Sequence, residues 1–482
     1  MSENDPDLNK LYSWDKDFVW HAFTQMAEYE PLLIERGEGV YLFDTDGNRY
    51  IDGSASMWCN IHGHHHSRLD AAISNQLTKV AHTTNLGLSN PTTVHLAQRL
   101  AEITPSGLEK VFFSSDGSSA IEAALKIAFQ YWHQSEREES VASTYQTSQR
   151  RKFVSLGEAY HGDTLGAIGV GGVDRFTSIF SPLTFDAIRV AGPGMTASLS
   201  STGDGGPRLD ASSQTTTAAA TLSELENLFK NQGHEIAALI MEPLVQAAGG
   251  ILVHPPGFLR AVRELTHQFN ILLILDEIAV GFGRTGTMFA CEQENVSPDI
   301  LCLGKGLTAG YLPMAATITT TQIWKQFLGS HKDGRAFYHG HTFGGNPLAA
   351  AVALESLNLF EEEHLLEQLP ERIQELQDHV ARIAKLPHVG DTRQCGLVAG
   401  IDLVADKDSG NPYPWEDKMG TVACLAARQY GALLRQLGDT VVIMPPLSIS
   451  SSELADLLHA AECAIRETTE AVVSIPSGTQ LR

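Results

Sequence analysis

Short apolar runs alternate with longer stretches of helical spacing along much of this chain. The runs cover residues 111–113, 152–156, 236–241, 271–275 and 300–303. Each run is too short for a typical helix and suits a strand that is buried on both faces. Residues 121–132 and 258–269 instead repeat apolar side chains at helical spacing, which predicts helices. Because strands and helices alternate, we expect right-handed crossovers and a mostly parallel sheet that is covered by helices.

Three stretches depart from this alternation. Residues 40–52 place two β-rich runs around Asp46-Gly47, which predicts a hairpin. Residues 191–220 consist mostly of Gly, Ser, Thr, Ala and Pro, and we expect a flexible surface insertion because they bury little apolar area. Beyond residue 346, short strands and helices alternate up to the end of the chain, which predicts a smaller α+β domain.

The length of 482 residues fits one large domain with a smaller one. The predicted division is an amino-terminal arm and hairpin that contribute to the small domain (1–70), a large domain with the insertion (71–345) and a carboxyl-terminal small domain (346–482).

Two of the predicted strands are followed by residues that suggest chemistry. Asp276 ends the run 271–275, and Lys305 lies between two glycines after the run 300–303. The carboxyl ends of strands are where open α/β sheets bind ligands. Pyridoxal phosphate (PLP) uses such a pair, a lysine that bonds to its aldehyde and a carboxylate beside its ring nitrogen. The alternative is structural, because an acid after a strand is often a cap and Gly-Lys-Gly is often a solvated loop.

A Ser- and Gly-rich turn precedes the predicted helix 121–132. Gly117 and Ser118 lie at its amino terminus, where free N–H groups and the helix dipole favour a phosphate, although any helix needs such a cap. Tyr160 follows the run 152–156 and suits either stacking on a flat ring or packing in the core.

Composition excludes several classes of partner. The formal net charge is −23, which argues against nucleic acid and anionic membranes. No apolar run approaches the ~20 residues that a membrane span requires. The acidic amino terminus shows no signal or transit pattern, and the six cysteines are scattered, so we expect reduced thiols in a cytoplasmic protein. Four histidines fall within residues 62–66, but no paired ligands accompany them, and we expect a solvated loop and no metal.

Four motifs link these features to a known family. They are Trp20-His21-Ala22-Phe23-Thr24-Gln25-Met26, Tyr160-His161-Gly162-Asp163-Thr164, Gly281-Phe282-Gly283-Arg284-Thr285-Gly286 after Asp276-Glu277, and Gly304-Lys305-Gly306. With them the chain resembles the class III, fold type I, PLP-dependent aminotransferases over nearly its whole length. The opening motif and Met444-Pro445-Pro446 are most similar to the subfamily that converts 8-amino-7-oxononanoate to 7,8-diaminononanoate in biotin biosynthesis.

The resemblance implies a role for each matching residue. Lys305 would bind PLP covalently and shuttle the proton, Asp276 would pair with the ring nitrogen, and Tyr160 would stack on the ring. The other implied contacts are Gly117 and Ser118 to the phosphate, His341 and Thr342 to the phosphate from the second subunit of a homodimer, Glu242 and Gln246 to the ring edge, and Met57, Trp58, Tyr160, Gly340 and Arg435 to the substrates. Arg435 would bind the carboxylate of the keto acid, a task that suits a guanidinium.

The resemblance leaves the amino donor open. Many relatives that use S-adenosylmethionine have Trp, Tyr and Tyr where this chain has Met57, Phe23 and Val442. We predict S-adenosylmethionine as donor, with L-lysine as the alternative. Rival functions are an ω-amino-acid:pyruvate aminotransferase and a PLP-binding regulatory protein without turnover. A Rossmann oxidoreductase is disfavoured, because no Gly-x-Gly-x-x-Gly follows the first strand.

Overall fold

The computed structural model describes residues 6–135, 148–194 and 217–473. Of the predicted insertion 191–220, residues 195–216 lie outside the described residues, and a helix begins at Ala218. The last residues of the predicted small domain, 474–482, also lie outside them.

A seven-stranded sheet forms the centre of the fold. From one edge to the other, its strands are Leu108–Ser114, Ala315–Thr320, Ile300–Leu303, Leu272–Asp276, Ile236–Met241, Lys152–Leu156 and Ile188–Val190. Neighbouring strands are parallel except at Ala315–Thr320, which runs antiparallel to both of its neighbours. The predicted α/β class with a mostly parallel sheet is therefore confirmed.

Both faces of this sheet are covered, as the apolar runs predict. Every residue of Ile236–Met241, Leu272–Asp276 and Ile300–Leu303 is buried. Alternate residues face opposite sides, so that Leu273 and Leu275 join one apolar cluster while Leu272 and Ile274 join another.

The α-helices of the described residues range from 4 to 23 residues in length. In chain order they are Pro6–Phe18, Ser67–Leu77, Pro91–Ile103, Gly117–Ser135, Leu165–Val170, Asp174–Thr177, Ala218–Gln232, Phe258–Gln268, Thr321–Lys325, Pro347–Glu362, Leu365–Ile383, Met419–Ala426 and Ser451–Val473. A further segment, Ala55–Trp58, has helical hydrogen bonds but a left-handed backbone. No helix in the described part of the chain is long and apolar enough to cross a membrane.

The predicted hairpin is present and joins a distant part of the chain. Tyr41–Asp44 and Arg49–Asp52 pair antiparallel, with Ile34–Glu38 on the outer side. On the other side, Arg49–Asp52 pairs in parallel with Ala432–Leu433. Residues 34–52 and residues 432–433, which are far apart in the chain, therefore share one four-stranded sheet.

The carboxyl-terminal part has its own antiparallel sheet. Its strands, in sheet order, are Val389–Gln394, Ala399–Leu403, Thr440–Ile443 and Arg435–Leu437. Val245–Gln246 and Leu252–Val253 form a separate two-stranded ribbon beside the central sheet. Arg435 and Gln246 thus lie in different sheets, which only tertiary packing can bring together.

Candidate active site

Asp276 ends the central strand Leu272–Asp276, as predicted, and its two carboxylate oxygens have different donors. His161 donates from Nδ1 to Oδ2 at 2.8 Å, and the backbone N–H of Ile278 donates to Oδ1 at 3.0 Å. Both side chains of the Asp276–His161 pair are buried. A buried carboxylate needs such a partner. The Tyr160-His161-Gly162 motif contains this histidine, but the sequence offered no sign that it reaches Asp276.

Lys305 begins a short 3-10 helix, Lys305–Thr308, and has a positive φ of 43°. Its Nζ lies 4.8 Å from the centre of the Trp58 ring. Burial lowers the pKa of the Lys305 amine, and the charges of Asp276 and Glu242 oppose that shift. A lowered pKa leaves more of the amine neutral, which is the form that attacks a carbonyl.

Glu242 is a second buried acid at the carboxyl end of a strand. Its carboxylate accepts the N–H of Ala247 at 2.9 Å and the N–H of Tyr160 at 3.2 Å. Burial raises the pKa of Glu242 to about 7, while His161 lowers it and Asp276 raises it further. The Nε2 of Gln246 donates to the carbonyl of Gly157 at 2.8 Å. Glu242 and Gln246 therefore both bind the loop that carries Tyr160.

Tyr160 is half-buried, so it is neither fully packed in the core nor fully available for stacking on a flat ring, the two alternatives that the sequence left open. Its hydroxyl donates to Asp163 at 2.8 Å, and its ring meets Phe176 edge-on at 6.0 Å. Phe176 in turn meets Phe23 at 5.3 Å. An aromatic row thus runs from the edge of the sheet to the opening motif of the chain.

The Ser- and Gly-rich turn begins the helix Gly117–Ser135. Asp116 caps that helix by accepting the N–H of Ser119 at 2.9 Å. The Ser118 hydroxyl instead accepts the N–H of Asp163 at 3.3 Å. A Cβ on Gly162 would lie only 2.1 Å from the Ser118 oxygen, so the absence of a side chain lets the Tyr160 loop meet the helix start. The Asp116 carboxylate thus occupies one of the N–H groups at the helix start.

Met57 and Trp58 belong to the left-handed segment Ala55–Trp58. Trp58 is buried beside Lys305, and its Nε1 has no hydrogen-bond partner among the described residues. Met57 is 42% exposed. The sequence predicted both as substrate contacts but did not predict the backbone that orients them.

Arg435 begins the strand Arg435–Leu437 and is partly buried. Its Nε is buried and has no hydrogen-bond partner within the described ranges. Buried guanidinium N–H groups are normally satisfied, so this one is available to donate to a ligand. The structure thus separates this cation from the Lys305 and Asp276 pair and places it in a different sheet.

The surroundings of Gly340, His341 and Thr342 differ from those of Lys305 and Asp276. A Cβ on Gly340 would meet Leu86, and His341 packs edge-on against His339 at 5.1 Å. Gly340 and Thr342 are exposed. Across the described residues, no hydrogen bond, ion pair or ring contact joins these three to Lys305 or Asp276.

The histidines of residues 62–66 have four separate partners. His62 is buried against Ser356 at 3.0 Å, and burial lowers its pKa to about 3. His64 binds Asp52 at 3.0 Å, His65 binds Asp70 at 2.6 Å, and His66 lies 3.7 Å from Glu363. The expectation of a solvated loop is wrong for His62, because this stretch packs against the helix Pro347–Glu362.

Four of these groups lie at the carboxyl ends of strands of the central sheet. They are the half-buried Lys305 amine, the buried Asp276 carboxylate with its own donors, the Tyr160 ring and the helix amino terminus at Gly117. They fit a phosphorylated ring with an aldehyde, which is the chemistry of PLP.

Comparison with known proteins identifies the family. Residues 24–465 match the family described as aminotransferase class-III. The chain belongs to the class III aminotransferases. Relatives named adenosylmethionine-8-amino-7-oxononanoate aminotransferase include proteins of Geobacter sulfurreducens and Aquifex aeolicus. The first is 45% identical, covering 96% of this chain and 99% of the relative, and the second is 46% identical, covering 98% and 100%.

Solved structures of class III aminotransferases share the fold. The enzyme of Methanocaldococcus jannaschii with the same name superposes with a TM-score of 0.86 at 39% identity, covering 96% of this chain and 99% of that one. The omega transaminase of Pseudomonas jessenii in complex with PMP also reaches 0.86, at 29% identity, covering 97% and 100%. The predicted fold type I architecture and family are therefore confirmed.

Proposed function

We propose that this aminotransferase uses PLP to convert 8-amino-7-oxononanoate to 7,8-diaminononanoate, a step of biotin biosynthesis. This is the reaction of 7,8-diaminopelargonic acid synthase. One observation carries the proposal. The Lys305 amine, the Asp276–His161 pair and the helix start at Gly117 all lie at the carboxyl ends of strands of the central sheet. The names of relatives that match almost the whole chain support this substrate.

Each residue of the site has a proposed task. Bound PLP supplies an electron-withdrawing ring that stabilises negative charge on the substrate carbon. Lys305 holds the cofactor and moves the proton at that carbon. Asp276, oriented by His161, holds the ring nitrogen protonated.

The remaining site residues position the cofactor. Tyr160 covers the ring face, and Gly117 and Ser118 bind the phosphate at the helix start. Glu242 and Gln246 orient the loop that contains Tyr160, through the hydrogen bonds described above.

Arg435 is proposed to bind the carboxylate of the keto acid, together with Gly340, Met57 and Trp58 along the substrate. Its unsatisfied buried Nε supports this role. A charged hydrogen bond contributes about 1.5–3 kcal/mol, so loss of the guanidinium should weaken the keto-acid half-reaction roughly tenfold or more.

The proposed donor is S-adenosylmethionine, which the names of the relatives support. Its sulfonium and adenine suit aromatic faces such as Tyr160 and Trp58. L-lysine is the second candidate, because Met57 and Phe23 give this pocket fewer polar and aromatic groups than many users of S-adenosylmethionine have.

Assembly and location complete the proposal. A homodimer would allow His341 and Thr342 to reach the phosphate in the partner's site, because no hydrogen bond, ion pair or ring contact within the described residues joins them to Lys305 or Asp276. Mixing Lys305→Ala and Thr342→Val subunits should restore activity that neither variant has alone.

All six cysteines are free thiols, which supports a cytoplasmic location that fractionation of cells would check. The division into residues 1–70, 71–345 and 346–482 also remains a proposal, supported by the shared sheet of residues 34–52 and 432–433 and testable by limited proteolysis.

The decisive experiment follows the absorbance of the cofactor-loaded protein after single additions of each substrate. S-adenosylmethionine should change it within the time of one turnover, and 8-amino-7-oxononanoate should reverse the change. Response to lysine alone would assign the donor to lysine. Efficient reversal by pyruvate but not by 8-amino-7-oxononanoate would favour an ω-amino-acid aminotransferase, and no change with any amine would favour a binding protein. Arg435→Ala should impair the reversal more than the first step, whereas Arg466→Ala, on a surface helix paired with Glu462, should impair neither.

A further inference from the structure

The segment Ala55–Trp58 has an unusual backbone. Its φ angles are 45°, 39°, 67° and 73°, so four successive residues other than glycine are left-handed. Side chains with a Cβ disfavour this region, and left-handed residues normally occur singly. The turn is closed by hydrogen bonds from Trp58 N–H to Ser54 O at 2.6 Å and from Cys59 N–H to Ala55 O at 3.1 Å. Such a conformation persists only where the surroundings hold it.

Asp52 is the group that holds this turn. Its Oδ1 accepts the N–H of Ser54 at 3.3 Å and the Ser54 hydroxyl at 3.0 Å. Its Oδ2 accepts the N–H of Ser56 at 2.6 Å and the Ser56 hydroxyl at 2.8 Å. Asp52 is 0% exposed, so water does not compete for these bonds.

A histidine fixes the carboxylate from the other side. His64 Nε2 contacts Asp52 Oδ2 at 3.0 Å, and the other ring nitrogen of His64 lies 3.2 Å from the Asn60 amide. Asn60 also accepts the N–H of Gly63 at 2.7 Å. The contact with His64 therefore orients the Asp52 carboxylate independently of the turn that it holds.

The position of Asp52 connects two parts of the substrate site. It pairs with Leu433, two residues before Arg435, and the N–H of Gly53 donates to the carbonyl of Leu433 at 2.9 Å. On its other side, the turn it holds ends in Met57 and Trp58, with the Trp58 ring 4.8 Å from the Lys305 amine.

We propose that Asp52 is a positioning residue, which keeps Ala55–Trp58 left-handed so that Trp58 faces Lys305 and Met57 faces the substrate. The part that concerns substrate rests on the proposed function. The part that concerns the backbone does not, and hydrogen exchange of the turn measures it without any turnover.

The test compares Asp52→Asn with Asp44→Asn in the cofactor-loaded protein. Asp44 is a matched control, because it lies in the same sheet, is also buried and likewise accepts bonds from a turn, through Asp46 N–H and Asn48 N–H at 3.0 and 2.8 Å. In Asp52→Asn, amide exchange in residues 54–60 should rise about tenfold or more, with exchange in 272–276 unchanged. The substrate concentration for half-saturation should rise roughly tenfold while the saturated rate stays within about threefold.

A second substitution separates positioning from general stability. Ala55→Gly removes the conformational cost of one left-handed residue and leaves every Asp52 hydrogen bond in place. Added to Asp52→Asn, it should restore half-saturation to within about threefold of the Ala55→Gly reference.

Several results would overturn the proposal. They are unchanged exchange in residues 54–60 of Asp52→Asn, unchanged half-saturation, an equal effect of Asp44→Asn, or failure of Ala55→Gly to rescue. Should Asp52→Asn not fold, Ser56→Ala removes one hydroxyl from Asp52, and unchanged exchange there would equally overturn it. If the wild-type protein turns over none of the proposed substrates, the proposed function fails, and the exchange measurement still decides the role of Asp52 in the turn.

Discussion

Single residues of the site work in an environment that other residues create. The two oxygens of Asp276 each have a donor, one from His161 and one from the backbone of Ile278. Lys305 is similarly dependent, because burial and two nearby carboxylates act on its amine in opposite directions. The chemistry therefore belongs to the group of residues and not to the lysine alone.

Asp276→Asn should reduce catalysis strongly and leave the fold intact. The amide cannot accept from both His161 and Ile278 N–H as the carboxylate does, and it carries no charge to hold the ring nitrogen protonated. We expect kcat/KM to fall roughly a hundredfold in steady-state kinetics, which corresponds to a loss of about 3 kcal/mol of transition-state stabilisation. Asp186→Asn, at an exposed position, is the control. Turnover of Asp276→Asn near that of the wild type would contradict the assigned pairing.

Lys305→Met should stabilise the cofactor-free protein in a pH-dependent way. Burial lowers the pKa of Lys305 below its ordinary value of 10.5, so the folded state disfavours the proton that the unfolded chain binds. The resulting loss of stability is fully present below the folded pKa and disappears as the pH approaches 10.5. Urea unfolding at neutral and alkaline pH should show the gain of Lys305→Met only at neutral pH. Lys325→Met, at an exposed position, is the control, and a gain that grows with pH would disprove the shift.

At the scale of elements, the site depends on close contact between loops that follow different strands. The loop after Lys152–Leu156 carries Tyr160 and His161, and it meets the start of the helix Gly117–Ser135 at Ser118. Gly162 permits this approach, with a φ of 121° and a Cβ position that Ser118 already occupies. One glycine thus sets the distance between the proposed ring-covering and phosphate-binding residues.

Gly162→Ala should weaken PLP binding. The new methyl would lie 2.1 Å from Ser118 Oγ, so the helix start or the loop must move. Overpacking of this kind costs about 1–3 kcal/mol, and we expect the dissociation constant for PLP to rise roughly tenfold or more in equilibrium dialysis. Gly107→Ala serves as control, because its φ is also positive but no atom lies within 4 Å of the added Cβ. Equal effects of the two substitutions would mean that backbone strain alone matters.

At the scale of the whole molecule, the loop after Asp276 connects the central sheet to the carboxyl-terminal part. Arg284 is 1% exposed and donates to the carbonyls of Leu397 and Pro445 at 3.3 and 2.6 Å. The N–H of Leu397 returns a bond to the carbonyl of Arg284 at 2.9 Å. Gly396 lies directly against this contact, with a φ of 60°.

Gly396→Ala should destabilise the protein severely. Its Cβ would lie 2.4 Å from both the Arg284 carbonyl oxygen and the Thr285 Cα, and neither backbone atom can move easily. We expect a loss of roughly 2–5 kcal/mol in the free energy of unfolding, from overpacking and from the left-handed backbone together. Gly410→Ala, with a φ of 70° and open space around its Cβ, should lose only about 1–2 kcal/mol. Similar losses in urea unfolding would show that the contact with Arg284 is not tight.

The sequence by itself determined five strands of the central sheet, the hairpin and the position of the candidate lysine and acid at strand ends. These features depend on local patterns, since an apolar run, an Asp-Gly turn and a glycine-flanked lysine are read within a few residues. The tertiary structure alone decided which residues meet. His161 reaches Asp276 across 115 positions, and Ala432–Leu433 joins the hairpin from the far end of the chain. It also decided the left-handed turn at Met57 and Trp58, because its residues disfavour that backbone and it persists only where surroundings such as the buried Asp52 hold it.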